Sequence, residues 1–483
     1  MKRKLSILPA LLAFGSAWLA SSCDSYVDIT PLGSLTVDDA NTYYELIANP
    51  QRCYYPSSFA YLSDDLWPKE SKIIGFESTT IDAILFTANE NAERSLIADN
   101  NLYENMYSDI LRCNLVIDNI DAAPGTDEIR TLAKAEARTY RAWNHFIAVN
   151  TFAKAYTPAT AASDGGVCIM DHYGLELTPA KSTVAEVYDF VISELEASVP
   201  LLQETPLNIY HPNRAYGYGL LAQVYLFHRD WEKARDAALK SLELNNSLID
   251  YNEINDNGGI ARYRVYADDN NPEVLSYMWL ASGWTAEAAT YYNYGVISPE
   301  LVNLFEPNDL RYSLFFRQSG TTISLYYDMG SGAAIWTPAT TTARFTYMAV
   351  GMRTAEVYLT LAEAYARLGD NAKATEYVNA LRQHRLSGTY AIAQPSTQVE
   401  MMQQIILERR KELLFGFHRF FDLKRFNTEA EYAKTIVRVF PIVNTSVPQQ
   451  TYTLRPDSRL YIIPFPHSAR DRNPNLTLNT DEK

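Results

Sequence analysis

Leu221-Ala222-Gln223-Val224-Tyr225, followed by Asp230-Trp231-Glu232-Lys233-Ala234, returns later in the chain as Leu361-Ala362-Glu363-Ala364-Tyr365 and Asp370-Asn371-Ala372-Lys373-Ala374. Leu, Ala, Tyr, Asp, Lys and Ala match in phase at a constant offset. A small Ala, a Tyr one turn later, a short turn and a second Ala in the next helix form the tetratricopeptide arrangement. The two Ala let antiparallel helices approach closely, and the Tyr fills the groove beside them. Arg367-Leu368-Gly369-Asp370 gives the second copy a turn with a flexible Gly, where the first uses His228-Arg229-Asp230. Two copies in phase indicate a helical-repeat scaffold.

Further helical pairs extend the pattern. Tyr103 to Ile117 has helical spacing and precedes a helix from Ile129 to Phe152, with Pro124-Gly125 marking the turn. Ser182-Thr183 caps a helix from Val184 to Val199, with Glu186 at capping-box distance from Thr183. Stacked pairs of this kind build a superhelix. The fold expected is mainly α, a tetratricopeptide-like scaffold over about 100–244 and 352–426, with loop-rich inserts over about 245–351 and 427–483. The first insert is rich in Asn, Gly, Thr, Tyr and Trp, with short strand-like runs such as Thr322 to Tyr327. So long an irregular stretch between two repeats reads as a functional insert rather than a bare loop.

The N-terminus carries an address. Met1-Lys2-Arg3-Lys4 is a basic start, and Leu5 to Leu19 is apolar but short for a bilayer span. Ala20, Ser21 and Ser22 then precede Cys23. This reads as a lipoprotein signal, residues 1–22, cut so that Cys23 takes acyl chains and anchors the body, residues 24–483. The usual Leu three residues before the Cys is here Ala20, with Leu19 one position earlier. The competing reading is an ordinary secretory signal cut near Ala20.

Net charge is −15, which argues against nucleic acid and against a basic membrane-binding surface. Tyrosine is over-represented, at 34 residues with 7 Trp. A phenol has an apolar face and a polar tip, suited to stacking on sugars or peptides, though helix cores absorb many such rings. Cys53, Cys113 and Cys168 remain besides Cys23, with no Cys-x-x-Cys pair, so zinc is not indicated. One disulfide or three buried thiols are both compatible with them. The seven His are scattered, and no His-Glu-x-x-His, Gly-x-Ser-x-Gly or Walker loop is present. Carboxylate pairs such as Asp64-Asp65 occur as in any acidic protein. No catalysis, cofactor or metal is expected.

Glu408-Arg409-Arg410-Lys411-Glu412-Leu413-Leu414-Phe415-Gly416-Phe417-His418-Arg419-Phe420-Phe421-Asp422-Leu423, continuing through Lys424-Arg425-Phe426, is dense in charge. Tyr461-Ile462-Ile463-Pro464-Phe465-Pro466 and Asn473-Pro474-Asn475-Leu476 follow. These patterns resemble the C-terminal signature of the SusD/RagB family. Cys23 to Ser34 is similar to that family's opening, and Ala135 to Ala142 to its Glu-Ala-x-x-x-Arg-Ala helix. Val187 to Val191, the two repeats, and Asn303-Leu304-Phe305 with Asp309-Leu310-Arg311 fall in the family's order. The departure is Lys154-Ala155-Tyr156-Thr157-Pro158, where the family often has Gly-x-Pro.

The resemblance implies a lipid-anchored protein at the cell surface of the outer membrane. Its loop-rich face would capture nutrients, mostly glycans, and close as a lid on a SusC-like TonB-dependent transporter. Peptide capture and a purely structural adaptor are the alternatives. The Glu408–Asp422 charges read as a packing network rather than a site. Ligand contacts are sought among aromatics of the irregular regions, Trp67, Trp279, Trp284, Tyr291, Tyr292, Tyr294 and Trp336, whereas Trp231 belongs to the repeat.

Overall fold

A computed structural model describes residues 37–48, 57–68, 79–97, 100–255, 271–276, 278, 295–319, 322–325, 351–414, 418–440 and 448–480. Short helices α1 (Ala40–Ile47), α2 (Ser57–Tyr61) and α3 (Ile81–Phe86) come first. The long helices α4 (Asn100–Asn119), α5 (Asp127–Phe152), α6 (Val184–Ser198), α7 (Arg214–His228) and α8 (Trp231–Leu244) follow. Three short helices lie beyond them, α9 (Tyr251–Asn255), α10 (Pro299–Val302) and α11 (Leu310–Phe315). The scaffold resumes with α12 (Thr354–Arg367), α13 (Asn371–Gln383), α14 (Gln398–Glu412) and α15 (His418–Phe426), and α16 (His467–Arg472) comes last.

The two repeats are helical hairpins with the same construction. Ala222, Ala234, Ala362 and Ala374 are fully buried, at the close approach within each hairpin. Asp230 and Asp370 cap the second helices, accepting from the backbone of Lys233 and Lys373 at 3.2 and 2.9 Å. Their own amides bond back to Tyr225 and Tyr365 carbonyls, both at 2.9 Å. The turn needs a left-handed residue, supplied by Gly369 (φ 85°) in one copy and by Arg229 (φ 68°) in the other. α8 packs on α12, so the hairpins stack, and α12 in turn packs on α14.

Local signals explain most helix ends. Thr126 caps α5 two residues ahead of the expected start, its hydroxyl accepting from Ile129. Thr183 and Glu186 form the full capping box of α6. That helix stops at Ser198, one residue early, because Pro200 diverts the chain into a single 3-10 turn, Val199–Leu201. Between α4 and α5, Gly125 holds φ 148°, and a Cβ there would lie 2.6 Å from Ala40 Cβ. The backbone of α1 thereby docks on the turn, with Ala40 N–H donating to Pro124 O at 2.8 Å.

α5 is the central column, buried along nearly all its length from Leu132 to Phe152. Where the core admits polar groups they are bonded. Arg141 clasps Glu194 and donates to Asn114 Oδ1 at 2.8 Å. His145 Nδ1 donates to Arg141 O while its Nε2 accepts from Met170 N–H at 3.1 Å, which fixes a neutral ring. Burial pushes its pKa down to about 4. Cys113 and Cys168 are buried, the latter donating its thiol hydrogen to Pro179 O at 3.4 Å, and Cys53 lies outside the described residues.

The strands form small antiparallel pairs. β1 (Leu66–Pro68) pairs with β4 (Gly295–Ile297), and β2 (Gly165–Cys168) with β3 (Lys181–Thr183). β5 (Phe316–Ser319) pairs with β6 (Thr322–Leu325), the expected strand-like run. β7 (Ile436–Phe440) pairs with β8 (Gln450–Leu454). Ahead of α16, the Tyr461–Pro466 segment lies across the end of α5, with Ile463 N–H on Thr151 O at 3.1 Å. Arg94 holds it from the other side through the Leu460 and Ile462 carbonyls.

Candidate functional site

The charges at the end of α14, Glu408 to Glu412, are buried and paired. Glu412 receives Arg311, Arg353 and Arg385 at 2.9–3.1 Å. Burial alone would raise its pKa, but the three guanidiniums hold it down to about 2. Glu408 pairs with Arg382, and Arg409 with Asp422, which also holds Arg425. This layer joins the insert, through Glu273, Asp309 and Arg311, to α13, α14 and α15. Among the described residues these charges pair with one another, as the packing reading of the motif expects.

The N-terminal end of the layer reaches the strand that carries Trp67. Asp64 accepts Arg419 at 2.6 Å and lies 3.3 Å from Arg410, while Asp65 takes Arg410 Nε at 2.5 Å. Burial opposes ionisation of Asp64, yet Arg419 and Arg410 hold its pKa well below the usual carboxylate range. Burial pushes that of Asp65 up, with the charge of Asp64 adding to the effect. The carbonyls of Asp64 and Asp65 receive Ser298 Oγ and Ser298 N–H at 2.7 and 2.9 Å. The charged pair that the sequence offered as ordinary acidity therefore locks two remote segments together.

The result is a fixed register. Trp67 stands opposite Val296, and Pro68 opposite Gly295, the residue after Tyr294. β6 packs beside β4. Only the backbone of Trp67 is described. Trp279, Trp284, Tyr291, Tyr292, Tyr294 and Trp336 lie outside the described residues, as does Cys23. Trp231 is a half-buried repeat residue, with the Arg367 guanidinium 5.0 Å from its ring centroid and 4.9 Å from that of Tyr432. Among the described residues no cluster of three or more His, Cys, Asp or Glu has metal-holding geometry. No helix among them is long and apolar enough to cross a membrane.

Comparison with known proteins places this architecture. A family model described as "SusD family" matches residues 321–481, and one described as "Starch-binding associating with outer membrane" matches residues 67–226. A SusD-like protein of Formosa agariphila is 25% identical over 342 residues. The chain belongs to the SusD/RagB family. The match to that relative takes in 62% of this chain and spans 65% of the relative's length.

Among solved SusD-type folds, a protein from Bacteroides vulgatus superposes with a TM-score of 0.71 at 20% identity, over 93% of this chain and 100% of the other. A "SusD-like carbohydrate binding protein" from the same species gives 0.67 at 20% identity, over 91% and 97%. At such identities the likeness fixes the tetratricopeptide-like SusD fold alone.

Proposed function

We propose that this SusD-family chain is a cell-surface lipoprotein that binds nutrient glycans. It would be anchored through Cys23 and deliver its ligand, as a lid, to a SusC-like TonB-dependent transporter of the outer membrane. The observation that supports the reading is the β1–β4 register, which sets Trp67 opposite Val296, two residues after Tyr294 in the sequence. Aromatic rings there would stack on the C–H faces of sugar rings, with Asn and Asp side chains bonding the hydroxyls. The starch-binding description of the family matched over residues 67–226 supports a glycan ligand, as does the carbohydrate-binding description of one fold neighbour. Trp279, Trp284, Tyr291, Tyr292 and Trp336 are proposed to complete the platform, with no cofactor and no catalysis.

The test is calorimetric titration of residues 24–483 against polysaccharides, oligosaccharides and peptides. A glycan that binds wild type and is lost in Trp-to-Ala variants of the 279–336 segment establishes the reading. Binding of peptides alone replaces it with peptide capture.

A further inference from the structure

A polar cleft of about 450 Å³ opens between the segment following α5, the end of α15 and the chain approaching Tyr461. Its size suits a small molecule. Lys424 sits at its edge, 5% exposed, where its Nζ donates to Asn150 O at 2.6 Å. That ammonium also lies 5.8 Å from the centroid of the Phe420 ring. Among the described residues it has no ion-paired carboxylate, unlike Arg409, Arg410, Lys411 and Arg425 of the same motif.

Three more polar groups line the cleft. Tyr461, 4% exposed, sets its hydroxyl beside the Asn427 amide. Thr480 Oγ1 is buried with no hydrogen-bond partner among the described residues. The other charges of the lining are already engaged. Lys154 is bound to Asp164 at 2.7 Å, Asp457 to Arg455 at 3.1 Å, and Arg459 to the Glu90 and Ala92 carbonyls. A buried cation without a carboxylate partner, beside hydroxyl and amide groups, is what a ligand with one negative charge and neighbouring hydroxyls would satisfy.

We propose that this cleft binds a small hydroxylated carboxylate of the size of a single uronic acid. Its carboxylate pairs with Lys424, and its hydroxyls meet Tyr461, Asn427 and Thr480. The site uses none of the aromatic candidates, so it stands or falls separately from glycan capture at the β1–β4 sheet. Burial pushes the Lys424 pKa down to about 7, as expected of an ammonium that lacks a counter-charge. A bound carboxylate restores its charge.

The experiment titrates the soluble chain, residues 24–483, with D-glucuronate and with D-glucose. Saturable glucuronate binding is expected, with glucose weaker by about tenfold or more. Lys424→Met keeps the apolar stem, should fold with a Tm no lower than wild type, and should weaken glucuronate by about tenfold or more. Tyr461→Phe should weaken it by about fivefold. Amine-labelling mass spectrometry on wild type supplies a readout independent of any variant. Glucuronate, and not glucose, should slow modification of Lys424. No glucuronate binding, undiminished binding in folded Lys424→Met, or Lys424 labelling that saturating glucuronate leaves unchanged would each overturn the proposal.

Discussion

Arg410 donates from Nε to Asp65 Oδ1 at 2.5 Å, tying α14 to the strand that holds Trp67 two residues further on. The same guanidinium reaches the Asp64 carbonyl at 2.9 Å and Glu300, at the start of the helix that follows β4. One side chain of the C-terminal motif thus fixes both strands of the proposed glycan face. The motif's charges set the register of the strand that carries Trp67, and under the proposed function they would serve binding from a distance.

Arg410→Met should therefore do two things. Leaving Asp64 and Asp65 buried without this partner costs about 3–5 kcal/mol. Amides of β1 and β4 should also lose hydrogen-exchange protection before those of α7 and α8, because their register depends on that contact. Uniform loss of protection across the molecule would mean that the ion pair serves global stability alone.

Stability should fall with acid in two stages. The folded pKa of His145 is depressed, so between about 6.5 and about 4 the unfolded chain binds a proton that the native ring refuses. Stability is complete above that window and declines by about 3 kcal/mol across it as pH falls. Glu412, also depressed in the fold, contributes stability that is lost as pH falls from its ordinary value of 4.5 towards about 2. Denaturant titrations at stepped pH would show both stages, and His145→Gln should remove the first and spare the second.

The paired turns offer a control on backbone strain. Gly369→Ala meets no atom within 4 Å, so its cost is conformational only, about 1 kcal/mol. Arg229→Gly relieves the same left-handed strain but gives up a hydrogen bond to Thr428 at 2.5 Å. Its net effect should be within about 0.5 kcal/mol of zero. Thermal unfolding of both variants compares the two copies directly.

The repeats were legible because close helix approach leaves a local trace: Ala222 and Ala234, or Ala362 and Ala374, at fixed spacing with an Asp cap between them. The capping box at Thr183 and the turn at Gly125 are local in the same way. What joins remote segments leaves no such trace. Asp64 and Asp65 look like surface acidity until Arg410 and Arg419 are seen beside them. The partner of Trp67 across the sheet, Val296, cannot be deduced from either run. Lys424 is hidden by company, since its neighbour Arg425 is paired with carboxylates while Lys424, among the described residues, has a carbonyl and no carboxylate. Periodicity reports burial, but it does not report which buried charge lacks a counter-ion.

If glycan is held as proposed, Trp67 and Trp284 should be separable from the scaffold. Loss of one stacking ring should weaken a glycan by about tenfold, from about 1.4 kcal/mol of lost contact. Trp67→Ala and Trp284→Ala should both do so while the helical circular dichroism and Tm of the scaffold stay near wild type. Unchanged affinity in a folded variant removes that residue from the platform.

The lipid anchor yields the last prediction. If Cys23 carries the acyl chains, their CH₂ groups each contribute roughly 0.8 kcal/mol of membrane affinity, and the anchored protein sediments with outer membranes. Cys23→Ala removes the acceptor sulfur without touching the described fold. The variant should leave the membrane fraction and lose acyl-chain mass by intact-protein mass spectrometry, yet bind glycan as wild type does. A Cys23→Ala protein that stays acylated, or sediments with membranes after high-salt washing, would refute the anchor. The salt wash matters because a chain with net charge −15 gains nothing from anionic headgroups, so residual binding would have to be hydrophobic or mediated by a partner protein.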